Sequence, residues 1–222
     1  DDYAPFTGMK LPGGGMLTQL VMAALAEQHL QADLDWLPWK RGYLYASQSR
    51  YDGTFPYVPS PERAREFLYS EPVYILRQHF FSRSDEALEP ENLGALTGKR
   101  LCYPLGWQPP AIIQALLDQG LITRHSPPSL SACAKLLLLQ RDDFFVADRL
   151  LGQVALRDSG KPLTAFHTSG SSLPHSSLHF IVARQHPQAA ELIERFNAGL
   201  AALQASGKYA QIIEQYSQAP AD

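Results

Sequence analysis

Apolar positions recur with a helical period at the start of the chain. Leu17, Leu20, Val21, Ala24 and Leu25 share one face of a helix predicted over Met16–Gln28. The period then changes to two. In Asp33–Leu37, Leu34 and Trp36 face one way and Asp33 and Asp35 the other, the pattern of a half-buried strand. Pro38 opens a second helix, Trp39–Gln48. The stretch Tyr51–Pro72 reads as a short strand (Gly53–Phe55), a bend punctuated by Pro56, Pro59 and Pro61, one helical turn carrying Arg63, and a turn at Ser70-Glu71-Pro72. This loop–helix–strand–helix–strand order predicts an α/β unit with a parallel sheet.

Val73–Arg83 is one long strand-like run. Fully extended it would span about 36 Å, enough to cross between two lobes. A second α/β unit follows the polar stretch at 82–99. It comprises a strand at Arg100–Tyr103, a helix at Pro110–Gln119 ended by Gly120, a helix at Leu130–Gln140, a strand at Phe144–Ala147, and a helix over Asp148–Arg157 with Asp148 as its cap. Thr168–Ser177 reads as a linker and Leu178–Arg184 as a return strand. Two helices close the chain. Gln188–Gln204 carries Leu192, Ile193, Phe196, Leu200 and Leu203. Gly207 breaks it, and Tyr209–Gln218 carries Tyr209, Ile212, Ile213 and Tyr216. No internal repeat is visible.

The 222 residues suit one large α/β domain or two lobes of about 100 residues each. Apolar residues make up 45% and charged residues 18%, so a sizeable core is expected. A net charge of −3 argues against nucleic acid or an anionic membrane as partner. No apolar run approaches the roughly 20 residues of a membrane span. Cys102 and Cys133 are compatible with one disulfide or two buried thiols. Their positions on a strand and the helix after it favour a structural disulfide, worth about 3–4 kcal/mol if formed. No signal peptide is present, and the abrupt start is compatible with one having been removed.

The chemistry concentrates around Arg63. A strand ending in an irregular loop that opens onto a helix start offers free N–H groups, and a guanidinium adds a planar fork for a carboxylate. The plainer alternative pairs Arg63 with Glu62 or Glu66 on the surface. No phosphate loop is present: Gly13-Gly14-Gly15 lacks the lysine and hydroxyl such a loop needs, and no nucleophile elbow occurs. His175 and His179 are four apart on a linker and strand, a spacing that does not converge there, so no metal site is expected. Asp142-Asp143 reads as a solvated turn.

The order of these segments resembles the bacterial extracellular solute-binding proteins of family 3, the amino-acid-type periplasmic binding proteins of type II. The resemblance rests on Tyr3-Ala4-Pro5-Phe6, Gly14-Gly15, Leu37-Pro38-Trp39-Lys40-Arg41 and Tyr51-Asp52-Gly53. It continues through Pro61-Glu62-Arg63 with Phe67, Ser70-Glu71-Pro72, Gly98-Lys99, Gly106, Phe144-Phe145-Val146-Ala147-Asp148 and Ser206-Gly207-Lys208-Tyr209 with Ile212, Ile213 and Tyr216. Members of the family begin with a strand just before the first of these motifs, and the present sequence does not.

The resemblance implies a two-lobed Venus-flytrap α/β fold, each lobe a mostly parallel sheet flanked by helices. Lobe 1 would take residues 1–78 and 180–222, lobe 2 residues 84–175, with hinges near 79–83 and 176–179, and the ligand would be enclosed in the cleft between them. It implies Arg63 on a ligand carboxylate and Asp148 on a ligand ammonium group. Tyr3, Trp39, Phe55, Tyr57 and Val58 would line the lobe-1 side, and Gly106, Trp107 and Gln108 the lobe-2 side. The family's usual hydroxyl residues before the arginine are replaced here by Pro56, Tyr57 and Val58, and its usual Gly-Thr or Gly-Ser by Gly106-Trp107. Tyr57 could supply a hydroxyl, backbone N–H groups near Gly106–Gln108 an anion site, and Trp107 a stacking surface. A modified amino acid or another small carboxylate is therefore also an expected ligand.

The implied role is extracytoplasmic, periplasmic capture of an amino-acid-like solute by a monomer, with no cofactor, for delivery to an ABC-type membrane permease. The alternative is the sensor domain of a membrane-anchored signalling protein. A dehydratase on the same fold would need a general acid in the cleft, and every carboxylate near the implied site is already assigned.

Overall fold

The computed structural model describes residues 3–105, 107 and 109–218. The helices are α1 (Met16–Glu27), α2 (Trp39–Ser47), α3 (Arg63–Glu66), α4 (Ala111–Asp118), α5 (Leu130–Leu138), α6 (Arg149–Asp158), α7 (Ala189–Ala205) and α8 (Lys208–Gln218). The strands are β1 (Thr54–Tyr57), β2 (Phe67–Tyr69), β3 (Tyr74–Leu76), β4 (Gln78–Arg83), β5 (Arg100–Cys102), β6 (Thr123–His125), β7 (Phe144–Asp148), β8 (Phe166–Thr168) and β9 (Ser176–Ala183). Contacts divide them into two units. Unit 1 holds the described residues up to Leu76 together with Ser176–Gln218, and unit 2 holds Arg77–His175.

Unit 1 is organised on β9, buried from Leu178 to Ala183. β1, β2 and β3 each pair with it antiparallel, with Thr54 opposite Ile181, Phe67 opposite Ala183 and Tyr74 opposite Leu178. The predicted parallel pairing is found instead in unit 2. The apolar face of α1 is fully used: Leu17, Leu20, Val21 and Ala24 are buried. α7 packs on it through Phe196, Gly199, Leu200 and Leu203. Gly199 lets the two backbones meet, since a Cβ there would lie 2.0 Å from the Ala24 carbonyl oxygen. Gly199→Ala should therefore destabilise unit 1 by about 1–3 kcal/mol, against the roughly 1 kcal/mol of helix propensity that alanine adds. Denaturant unfolding measures the difference; unchanged stability would show that α1 and α7 separate freely.

Asp33–Leu37 does not form a strand. The alternation is present, but among the described residues no strand pairs with it. A cavity of about 460 Å³ separates this segment from β1, bordered by Val21, Leu25, Leu34, Leu37, Thr54 and Phe180. The run Val73–Arg83 likewise differs from expectation. It is two strands in two sheets, with Arg77 between β3 and β4.

His179 of β9 is buried in unit 1, its Nδ1 2.7 Å from the Ser70 carbonyl and its Nε2 2.8 Å from the Ser177 hydroxyl. Burial lowers its pKa from the ordinary 6.5, while the Ser70 carbonyl and Glu71 oppose this. The fold holds the neutral ring, so its contribution is present above pH 6.5 and is lost as pH falls below it. Thermal unfolding between pH 7.5 and 5.5 should show a shallower loss of stability in His179→Gln than in the parent. Equal slopes would remove His179 from the account.

In unit 2 the strand order is β6-β5-β7-β4-β8. β5 runs parallel to β6 and β7, while β4 is antiparallel to β7 and β8. The alternation of β4 and β7 sorts their phenylalanines to the two faces of the sheet. Phe80 and Phe144 join Leu101, Ile113 and Val146 in one core. Phe81 stacks on Phe145 at 4.7 Å beneath α6, where Gly152 leaves room for it. Cys102 of β5 and Cys133 of α5 form a disulfide, with Cα atoms 5.5 Å apart. Three-residue strands β2, β6 and β8 carry too short an alternation to be read without their partners.

Candidate functional site

Arg63 opens α3, directly after the proline-punctuated bend. Its backbone N–H donates to the Ser60 hydroxyl at 3.2 Å, fixing the turn. Its Nη1 donates to the Val58 carbonyl at 2.9 Å, and the guanidinium lies 5.4 Å from the centre of the Tyr57 ring. Tyr57 is itself held by aromatic neighbours, with Trp39 edge-on at 5.7 Å and Tyr43 at 5.8 Å. A buried aromatic platform thus supports a half-buried cation. The surface pairing with Glu62 or Glu66 is not formed: among the described residues Arg63 makes no ion pair. Glu66 instead accepts from the Tyr43 hydroxyl at 3.2 Å. Burial and that carboxylate push the Tyr43 phenol up to about 12.

The other unit 1 candidates fall into two groups. Trp39, Phe55 and Tyr57 border the cavity behind β1, whereas Tyr3, Val58 and Arg63 do not. Tyr3 bridges to Thr7 and packs on Phe6 at 5.0 Å. Val58 is exposed at the end of β1, and its side chain stands next to the carbonyl that Arg63 holds. Tyr57 is buried, and burial raises its phenol pKa, so what it presents to Arg63 is a ring face.

In unit 2, Gly106 and Gln108 lie outside the described residues. The Trp107 N–H is already donated to the Pro104 carbonyl at 3.1 Å and is not a spare anion donor. Its ring packs edge-on to Tyr103 at 6.1 Å, against the unit 2 core. The residue that shapes this loop is Arg124 of β6, which the sequence pattern did not single out. Its Nη2 donates to the carbonyls of Pro104 at 2.9 Å and Trp107 at 3.0 Å, and its Nε to Ser126. The guanidinium also lies over the Tyr103 ring. A lone arginine in a three-residue strand carries no periodic signal.

Asp148 ends β7 and caps α6, its Oδ1 accepting from the Leu150 N–H at 2.9 Å. Its Oδ2 accepts from the Arg77 N–H at 3.1 Å, and the residue is 1% exposed. The expected cap is present, and the same carboxylate anchors the start of β4. Asp142 and Asp143 depart from the solvated turn expected of them. Asp142 is buried beside His125, and Asp143 pairs with Arg100. Burial opposes ionisation of Asp143, but the Arg100 N–H and guanidinium outweigh it and hold its carboxyl below the usual range.

The sequence pattern of the bacterial extracellular solute-binding proteins, family 3, matches residues 1–219. No curated protein matches the chain. Among solved structures, substrate-binding domain 2 of Lactococcus lactis GlnP is 21% identical with a TM-score of 0.75, covering 100% of this chain and 94% of that one. The L-cystine solute receptor of Neisseria gonorrhoeae is 18% identical with a TM-score of 0.74, covering 96% and 88%. A histidine kinase sensor domain similar to periplasmic binding proteins is 21% identical with a TM-score of 0.67, covering 100% and 94%. At these identities the likeness is one of fold. Among the described residues no helix is long and apolar enough to cross a membrane.

Proposed function

Because the chain belongs to the bacterial extracellular solute-binding proteins of family 3, we propose that it binds a small amino-acid-like solute without transforming it. The observation that carries this reading is Arg63. Its guanidinium rests on Tyr57, with one donor spent on Val58 and no ion-pair partner among the described residues. Such a fork suits a ligand carboxylate. Arg63 in unit 1 is the charged anchor for the carboxylate, whereas Asp148, 1% exposed with both carboxylate oxygens accepting backbone N–H groups, serves as cap and brace within unit 2. Val58, exposed beside Arg63, is the apolar contact proposed for the ligand side chain, and Trp39 supports Arg63 through the Tyr57 ring. The protein works outside the cytoplasm, in the periplasm, as a monomer that hands its solute to an ABC-type permease.

The test is thermal unfolding against a panel of amino acids, polyamines and small carboxylates. A true ligand at about 100 times its dissociation constant adds about 2.7 kcal/mol. A shift with one amino-acid class supports the proposal, and a shift with polyamines alone contradicts it. A second reading, the sensing domain of a signalling protein, is favoured by the sensor-domain neighbour. The gene beyond Asp222 separates the two readings: a membrane span and a kinase-like region mean sensing, and a stop codon means a free carrier.

A further inference from the structure

One cluster in unit 2 plays no part in the proposed binding. β5 and β6 pair in parallel with Cys102 opposite His125, so both side chains leave the same face of the sheet. Asp142, in the turn before β7, lies on the same face, its Oδ2 2.9 Å from His125 Nδ1. One ligand-type atom from each of Cys102, His125 and Asp142 lies within 4.8 Å of the others. Asp142 is 1% exposed, and its Oδ1 has no hydrogen-bond partner among the described residues. An unpartnered carboxylate oxygen at that depth costs free energy that a cation would relieve. The imidazole of His125 is about half exposed, which leaves a way in from solvent.

We propose that reduction of the Cys102–Cys133 disulfide turns this cluster into a zinc site. While the disulfide is closed, Cys102 has no thiolate to offer, and one imidazole with one carboxylate makes a poor zinc site. A dithiol reductant opens it: the protein disulfide takes up two electrons and two protons, and the reductant becomes a disulfide. Zinc then displaces the thiol protons. The Cys102 thiolate, the neutral His125 ring and the Asp142 carboxylate supply three ligands of the type zinc prefers, and the freed Cys133 sulfur stands beside them as the fourth. Tetrahedral zinc at ordinary bond lengths holds its ligand atoms about 3.3–3.8 Å apart, a contraction of about 1 Å from the present spread. The site is thus gated by redox state, and it would hold β5, β6 and α5 together when the covalent link is gone.

The experiment titrates zinc sulfate, in competition with a chromophoric chelator, into oxidised protein, protein reduced with a phosphine, and reduced His125→Ala and Asp142→Asn. Near-ultraviolet circular dichroism follows the fold of each. The expected result is one zinc per reduced chain, none for the oxidised chain, and affinity at least about 10–100-fold weaker in both variants. Cobalt(II) in place of zinc should give a thiolate charge-transfer band in the reduced protein only. Equal affinity in the reduced parent and the two variants would mean that the thiols bind alone, and would overturn the proposal. So would absence of binding, or loss of the fold on reduction before zinc is added.

Discussion

Arg63→Ala is expected to lose ligand affinity by about 2–4 kcal/mol, roughly thirty- to several-hundred-fold, with little change in stability. Among the described residues the guanidinium makes one hydrogen bond, to Val58, and it sits on a ring that other aromatic contacts already hold. Its removal costs the fold little, because Tyr57 keeps Trp39 and Tyr43. It costs the ligand its charged partner, and hydrogen bonds to charged groups are the stronger kind. Arg63→Lys should recover only part of the affinity, because an ammonium cannot present two parallel donors. Calorimetric titration of the three proteins reads the ranking directly. An Arg63→Ala protein that binds as tightly as the parent would place the carboxylate elsewhere.

The second large effect concerns unit 2. Replacing Cys102 and Cys133 together by alanine should destabilise the protein by about 3–4 kcal/mol, lowering its melting temperature by roughly 7–14 °C. The bridge spans 31 residues and ties the end of β5 to α5. In the unfolded chain it removes the entropy of closing that loop, and in the folded chain it anchors β5, the central strand of the parallel β6-β5-β7 array. Both cysteines are fully buried, so alanine also leaves small voids. Thermal unfolding of the double variant beside the parent measures the sum. A shift of less than 2 °C would mean that the unit is held by its core alone.

Much of this was legible in the residues. The face of α1 followed from period alone, and its partner α7 carried the matching stripe. Asp148 announced itself as a cap, and the cysteines fell on a strand and a later helix of the same unit. What sequence could not supply was partnership. Asp33–Leu37 alternates as a strand should, yet pairing is a property of two segments and among the described residues no strand pairs with it. β2, β6 and β8 run against expectation for the opposite reason: each is too short to show a period and exists because of its neighbour. The site was legible in part for the same reason. Arg63 stands in a distinctive local stretch, but the platform beneath it joins Trp39 and Tyr43 of α2 to Tyr57 of β1. Arg124 and the His125–Asp142 pair depend on contacts across β5, β6 and the turn before β7, and no spacing along the chain encodes them.

The central claim is that a ligand carboxylate is gripped by Arg63. The most direct measurement is a calorimetric titration of the parent protein with the best-binding amino acid and with the carboxamide of that same amino acid. The account predicts that the amino acid binds and that its amide, which is uncharged at that end, binds at least about a hundredfold more weakly. Equal binding of the two would contradict it.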